Sequence, residues 1–125
     1  MINSKKIGLG IDIVNNDRFK NLNLKSDSDL LKKMFLKDEL DYCFSKIDAA
    51  PCLAVRFACK EAVVKALNSI GKFSINYDDI SILKDTNNVP YVKINDSKIQ
   101  NIQVNVSLSH CEDKSIAVAI ALENE

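Results

Sequence analysis

The segment from Ala50 to Asn68 constrains the fold more than any other part of the sequence. Its apolar residues cover almost the whole circumference of a helix; they are Leu53, Ala54, Val55, Phe57, Ala58, Cys59, Ala62, Val63, Val64, Ala66 and Leu67. Pro51 suits a first helical turn, and Asn68-Ser69-Ile70-Gly71 is typical of a helix end. The segment predicts a helix roughly 25 Å long, and a helix that is apolar nearly all round forms the centre of a core.

A strand is predicted before this helix, over Ile7 to Val14. Four aliphatic residues alternate there with smaller or polar ones; they are Ile7, Leu9, Ile11 and Ile13. We expect the aliphatic face to be buried. Gly8 and Gly10 leave the other face nearly bare, so that another backbone or a helix can approach closely.

The remaining elements are shorter. Helices are predicted over 15–24, over 29–35 and from Lys37 onward. Strands are predicted over 80–83 and 91–94, joined by a turn at 85–88, and a hairpin is formed by strands 104–109 and 115–122. In the first strand of the hairpin, Val104, Val106 and Leu108 face one way. The order indicates an α+β fold, an antiparallel sheet wrapped on one long core helix, with residues 1–125 forming a single domain.

Composition excludes several classes of protein. Lys plus Arg is 17 and Asp plus Glu is 17, which argues against a general nucleic-acid binder. Charged residues interrupt the most apolar stretch, and Met1 to Lys6 lack the apolar run of a secretory signal. We therefore expect a cytoplasmic protein with no membrane partner. The four cysteines form no Cys-x-x-Cys pair, so free thiols are expected, and one histidine, His110 beside Cys111, argues against zinc.

Charged residues on the core helix are the first candidates for chemistry. Arg56 and Lys60 are four residues apart, as are Glu61 and Lys65, so each pair shares a helix face. Glu61 and Lys65 either form an ordinary surface pair or face a cleft. In a cleft, the carboxylate would bind a metal ion and the ammonium a phosphate.

Two further candidates lie on the strands. Asp12 follows the two glycines, and it either caps the next element in solvent or joins Glu61 as an oxygen ligand of Mg²⁺. His110 ends the strand that carries Ser107 and Ser109 on its opposite face. It is either a solvated residue at the end of a hairpin or an anion contact, with the serine hydroxyls as added donors.

Three segments together resemble a known family. They are Ile7 to Val14 with Arg18-Phe19, then Arg56 to Leu67, then Val106-Ser107-Leu108-Ser109-His110. In order and spacing they are similar to the opening signature, the central Arg-Phe-Ala-x-Lys-Glu-Ala-x-x-Lys-Ala helix and the Ser-x-[Ser/Thr]-His strand of holo-acyl-carrier-protein synthases. The resemblance spans residues 7–122.

The resemblance implies a small bacterial-type 4′-phosphopantetheinyl transferase of fatty acid biosynthesis. Such enzymes use Mg²⁺ to move the phosphopantetheine arm of coenzyme A onto a serine of apo-acyl-carrier protein, and they release adenosine 3′,5′-bisphosphate. The family forms homotrimers whose active sites lie between subunits. The alternative is a catalytically silent coenzyme A- or nucleotide-binding module of the same fold.

The resemblance also assigns roles by position. Asp12 and Glu61 would hold Mg²⁺, and Glu61 would orient or deprotonate the serine, directly or through a water. Lys65 would contact the attacked phosphate, and His110 would lie near the 3′-phosphate of coenzyme A. The expected coenzyme A contacts are Asp12, Lys60, Lys65, Pro90, Ser109 and His110. Arg18, Lys20 and Lys25 would dock the acidic carrier protein, since a local basic patch suffices in a neutral chain.

Overall fold

A computed structural model describes residues 6–95 and 97–124 of the chain. The elements in order are β1 (Lys6–Asn15), α1 (Ser28–Met34), α2 (Lys37–Phe44), α3 (Ala50–Asn68), β2 (Ile80–Lys84), β3 (Pro90–Ile94), β4 (Ile102–His110) and β5 (Lys114–Glu123). Short 3₁₀ turns occupy Asn16–Phe19 and Tyr77–Asp79. The predicted α+β class is confirmed.

Helix α3 lies across the inner face of a three-stranded antiparallel sheet with the strand order β1-β5-β4. Twelve of its nineteen residues are buried, as its nearly uniform apolar surface predicts. The sheet leaves room for it because β5 presents only small side chains on that face, namely Ser115, Ala117, Ala119 and Ala121. In β4, Val104, Val106 and Leu108 are partly buried and pack against the same core.

The close contact between β1 and α3 depends on two glycines. A Cβ atom on Gly10 would overlap the carbonyl oxygen of Ala62 and would lie 2.7 Å from the nitrogen of Ala66. A Cβ atom on Gly8 would overlap the carbonyl oxygen of Ala66. The expected close approach of a helix to the glycine face is therefore confirmed, because only a residue without a Cβ fits there.

The expectation that the aliphatic face of β1 is buried is wrong for the single chain. Its four residues point away from α3 and are 60–64% exposed; they are Ile7, Leu9, Ile11 and Ile13. Their neighbours on the same face of β5 include Val118 and Ile120, which are also exposed. Alternation in the sequence identifies two faces, but the helix takes the face that lets its backbone come close.

The smaller elements follow the sequence with one exception. Strands β2 and β3 form a separate two-stranded antiparallel sheet, closed by a turn in which the Asp85 carboxylate accepts from the amides of Asn87 and Val89. The helix predicted over 15–24 is wrong beyond residue 19. Lys20 leaves the helical conformation and Asn21 has a φ of 63°, so the chain turns away.

The expectation of four free thiols is also corrected. A disulfide joins Cys43, near the end of α2, to Cys52, in the first turn of α3. The two Cα atoms are 5.4 Å apart, within the ordinary range for a disulfide. Cys59 and Cys111 remain free, and burial raises the pKa of the Cys59 thiol to about 12. In the described part of the chain, no helix combines the length and apolar character needed to cross a membrane.

Candidate active site

Asp12 and Lys65 meet although 53 positions separate them in the sequence. The Lys65 ammonium lies 3.1 Å from Asp12 Oδ1 and donates to the carbonyl oxygen of Ile11 at 3.0 Å. The Asp12 side chain is 17% exposed, while that of Lys65 is 51% exposed. The glycine contact sets this meeting, because it brings the end of β1 against the last turns of α3.

Glu61 lies one turn before Lys65 and is half-buried. Its carboxylate does not pair with Lys65; it accepts a hydrogen bond from the hydroxyl of Tyr77, at the start of the second 3₁₀ turn. Burial and then this hydrogen bond raise the pKa of Tyr77 to about 12, so the phenol remains a donor at neutral pH. The reading of Glu61 and Lys65 as an ordinary surface pair is therefore not what the structure contains.

The two carboxylates fit a Mg²⁺ ion that also binds a phosphate. Asp12 pairs with Lys65, and Glu61 lies four residues before Lys65 on the same face of α3, so the two carboxylates lie on the same side of that helix. Among the described residues, no group of three or more acidic, histidine or cysteine side chains could enclose a metal. Mg²⁺ commonly takes one or two carboxylates, keeps several waters and accepts phosphate oxygens, so a pair is the donor set that it needs.

Lys60 does not face this cleft, which corrects the expectation that it reaches a phosphate. Its side chain is fully buried and its ammonium lies 2.6 Å from Glu39 Oε1. It also donates to the carbonyl oxygen of Tyr77 at 3.0 Å. Glu39 in turn accepts from the amides of Leu36 and Ile82. Burial lowers the pKa of Lys60, and Glu39 opposes that change. Lys60 therefore ties together α2, α3, β2 and the Tyr77 turn.

A second group of polar residues lines a cavity of about 440 Å³ beside the first half of α3. Four of its lining residues are basic: Lys46, Arg56, Lys84 and His110. No acidic side chain lines this cavity in the described part of the chain. Its apolar lining includes Val55, Ile82, Pro90 and Leu108. A concave site with an apolar wall and several basic side chains suits an anionic ligand that carries a flat ring.

Arg56 is the buried member of this group, at 8% exposure. Its guanidinium stacks on the Tyr42 ring at 4.7 Å from the centroid, and it donates to Cys52 Sγ at 3.2 Å. Its Nε is buried and finds no hydrogen-bond partner among the described residues. Lys46 also lies over the Tyr42 ring, and Lys46 and Lys84 lower the pKa of that phenol. Three cations thus converge on one aromatic ring.

The expected coenzyme A contacts divide between these places. His110 and Pro90 line the cavity together, and Asp12 and Lys65 lie at the carboxylate cleft. Ser109 points to the other face of β4 and is exposed, so it is not among the residues that line the cavity.

The three expected docking residues are exposed and lie on or after the first 3₁₀ turn. The Arg18 guanidinium stacks over the Phe57 ring at 4.8 Å, and Phe57 in turn packs against Tyr77. Lys20 pairs with Asp17 at 3.3 Å, and Lys25 lies in the loop before α1. Arg18 is thus one aromatic ring away from the Tyr77 and Glu61 pair.

Sequence reasoning noted the charge of Arg56 but gave it no role, and it missed five other members of these two groups: Glu39, Tyr42, Lys46, Tyr77 and Lys84. Arg56 carried a usable signal: it is one of two arginines in the chain and stands in a helix that is apolar nearly all round. Such a residue needs a buried partner or a ligand. Tyr77 and Glu39 carried none, because neither stands at a telling spacing from its partner.

The comparisons with known proteins fit this geometry. A family model described as the 4′-phosphopantetheinyl transferase superfamily matches residues 8–121. The holo-[acyl-carrier-protein] synthase of Aquifex aeolicus is 40% identical over 115 residues, which is 89% of this chain and 94% of that protein. The chain belongs to the holo-[acyl-carrier-protein] synthase family. The resemblance seen in the three sequence motifs is confirmed.

Two other holo-[acyl-carrier-protein] synthases extend the comparison. That of Chlamydia muridarum is 42% identical over 118 residues, covering 91% of this chain and 93% of that protein. A crystal structure of the Helicobacter pylori synthase in complex with coenzyme A superposes with a TM-score of 0.75 at 31% identity, covering 90% of this chain and 98% of that one. The family likeness therefore extends over almost the full described fold.

Proposed function

We propose that this chain transfers the 4′-phosphopantetheine arm of coenzyme A to a serine hydroxyl of apo-acyl-carrier protein. The products are holo-acyl-carrier protein and adenosine 3′,5′-bisphosphate. The observation that carries the proposal is the contact of Asp12, on β1, with Lys65 of α3, one helical turn after Glu61. Family membership supplies the reaction, and this contact supplies residues that suit it.

Each of these residues has a separate role in the transfer. Asp12 and Glu61 would hold Mg²⁺, which when bound neutralises charge on the diphosphate of coenzyme A. The Lys65 ammonium is exposed and donates to the phosphate that is attacked, so that charge on the leaving bisphosphate is stabilised. The Glu61 carboxylate orients the incoming serine hydroxyl and accepts its proton, directly or through a water.

The basic cavity would hold the nucleotide end of coenzyme A. Its basic side chains, among them Lys46, Arg56 and Lys84, suit the 3′-phosphate, and His110 lines the same cavity. Val55, Pro90 and Leu108 offer apolar surface for the adenine. This assignment keeps His110 and Pro90 as coenzyme A contacts and adds Arg56, Lys46 and Lys84 to them.

Transfer is tested directly by mass spectrometry. The chain is incubated with an apo-acyl-carrier protein, coenzyme A and Mg²⁺, and the carrier is expected to gain the mass of one phosphopantetheine arm. Omission of Mg²⁺, or replacement of the acceptor serine of the carrier by alanine, is the control. Binding of coenzyme A without any mass gain would favour the silent binding module instead.

We further propose that the active site forms between copies of this chain in a homotrimer. Arg56 and Lys65 are nine residues apart, so they lie about 14 Å apart along the axis and on opposite sides of α3. The helix therefore separates the basic cavity from the carboxylate cleft of the same chain. The exposed aliphatic face of β1 and β5 is the surface that a second copy would cover.

A mixing experiment tests this arrangement. Glu61→Gln and Arg56→Met are each expected to be inactive alone, because each removes one half of every site. When the two variants are co-expressed in equal amounts, random assembly restores both halves in about one quarter of the sites of a ring-shaped oligomer. Activity is measured as carrier mass gain, and sedimentation gives the number of copies. The proposal would be contradicted if the co-expressed variants were as inactive as each variant alone, or if the chain were monomeric.

Docking of the carrier protein at Arg18 gives another expected result. Arg18→Glu reverses a charge that faces an acidic partner, so the KM for the carrier protein is expected to rise about tenfold or more. The KM for coenzyme A should change less than twofold, since Arg18 lies outside the basic cavity. Lys93→Glu, on exposed β3, is the matched control. Equal changes in both KM values would contradict a docking role.

A further inference from the structure

Tyr77 is held in place by three separate contacts. Its ring packs against Phe57 with 5.4 Å between centroids, and its carbonyl oxygen accepts from the buried Lys60 ammonium at 3.0 Å. Its hydroxyl donates to Glu61 Oε1. The first two contacts fix the position of the ring, so the hydroxyl is presented to Glu61 from a rigid support.

The support itself is anchored in the core. Lys60 is paired with Glu39, and Glu39 accepts from the amide of Ile82, two residues into β2. The 3₁₀ turn that carries Tyr77 directly precedes β2. The buried ion pair therefore fixes this turn relative to the helix that carries Glu61. The transfer steps assigned to Asp12, Glu61 and Lys65 use neither Tyr77 nor the ion pair.

Glu61 needs such a restraint because its side chain has three rotatable bonds and is only half-buried. A hydrogen bond to Oε1 selects one orientation of the carboxylate, and Oε2 accepts no hydrogen bond from the described residues. Partners of this kind orient the groups that bind a metal or a proton, and their loss weakens metal binding or activity.

We propose that Tyr77 is a positioning residue, whose hydroxyl holds the Glu61 carboxylate in the orientation that metal binding and transfer need. The proposal rests on the transferase function and deepens it. Tyr77 touches no reacting atom and acts through Glu61. The chain places no other described hydrogen-bond donor on that carboxylate, so the loss of this one is not compensated.

Tyr77→Phe tests the proposal, because it removes only the hydroxyl. The packing of the ring on Phe57 and the hydrogen bond from Lys60 to the carbonyl oxygen of residue 77 are kept. The kcat for transfer is expected to fall about 10- to 100-fold, while the KM for coenzyme A changes less than twofold. The affinity for Mg²⁺, measured by calorimetry with coenzyme A present, should fall about tenfold. The thermal midpoint should fall by no more than about 5 °C, the usual cost of one hydrogen bond in a domain of this size. Tyr91→Phe, which removes an exposed hydroxyl on β3, is the matched control and should leave all four quantities unchanged.

The outcomes separate this proposal from the function on which it rests. If wild type transfers the arm and Tyr77→Phe equals it in kcat and Mg²⁺ affinity, the positioning role is overturned. A variant that loses thermal stability, with kcat and KM changing in proportion, would also overturn it, because the hydroxyl would then only stabilise the fold. If wild type transfers nothing, the proposed function fails, and the Mg²⁺ affinities of the two chains still decide the role of Tyr77.

Discussion

Glu61→Gln is expected to lower kcat by about 10³-fold or more, with the fold intact. The amide has no negative charge, so it is a poor ligand for Mg²⁺ and cannot accept the serine proton. It can still accept the hydrogen bond from Tyr77, and its volume is unchanged. The loss should therefore appear in transfer and not in stability.

The measurement is the initial rate of carrier mass gain at saturating coenzyme A and carrier protein. Glu112→Gln, the same exchange in the exposed turn between β4 and β5, is the matched control and should keep wild-type kcat. Thermal unfolding of both variants shows whether the fold is kept. A Glu61→Gln chain with a rate within tenfold of wild type would remove this carboxylate from the mechanism.

Lys60→Met is expected to lower the free energy of unfolding by about 3–5 kcal/mol. The methionine fills most of the lysine volume, so the cost arises mainly from the Glu39 carboxylate, which is left buried without its counter-charge. The carbonyl oxygen of Tyr77 also loses its donor. A loss of this size is a large fraction of the stability of a typical domain.

Urea unfolding followed by circular dichroism gives the free energy. Lys37→Met is the matched control: Lys37 pairs with Asp41 at 2.8 Å, but its side chain is 87% exposed, so its free energy of unfolding is expected to match that of wild type. If the free energy of unfolding falls by the same small amount in both variants, Lys60 and Glu39 do not form the buried pair on which the Tyr77 turn depends.

The sequence was sufficient wherever a pattern is local. The bounds of α3 agree within one residue, because Pro51 and the Asn68 to Gly71 segment mark both ends. The hairpin of β4 and β5 follows from strict alternation interrupted by a polar turn. The family was also recognisable, since three motifs in order depend on residue identity and spacing alone.

The sequence was not sufficient where the structure depends on which distant segments pack together. Alternation in β1 shows two faces but does not show which one meets α3, and the aliphatic face was assigned to the core incorrectly. Lys60 was expected to contact coenzyme A, because the resemblance places it beside Glu61 in the family's central motif. Its true partner, Glu39, is 21 residues away and lies in a helix whose burial no spacing reveals. The Cys43 and Cys52 disulfide was missed for the same reason.

The site was predicted in part. The meeting of Asp12 with Lys65 places a predicted metal ligand beside a predicted phosphate contact. Tyr77 was out of reach, since a tyrosine in a loop after a core helix has no distinctive pattern. Its contact with Glu61 is a product of the tertiary fold.

The glycine contact between β1 and α3 affects how freely this chain can change over evolution. Main chain meets main chain there, so no side chain can repack to set a new spacing. Aliphatic residues elsewhere in the interior can be exchanged for others of similar volume, with small local shifts. Most substitutions in the core therefore leave the distance between Asp12 and Lys65 unchanged. A mutation that alters this distance must displace the whole of α3.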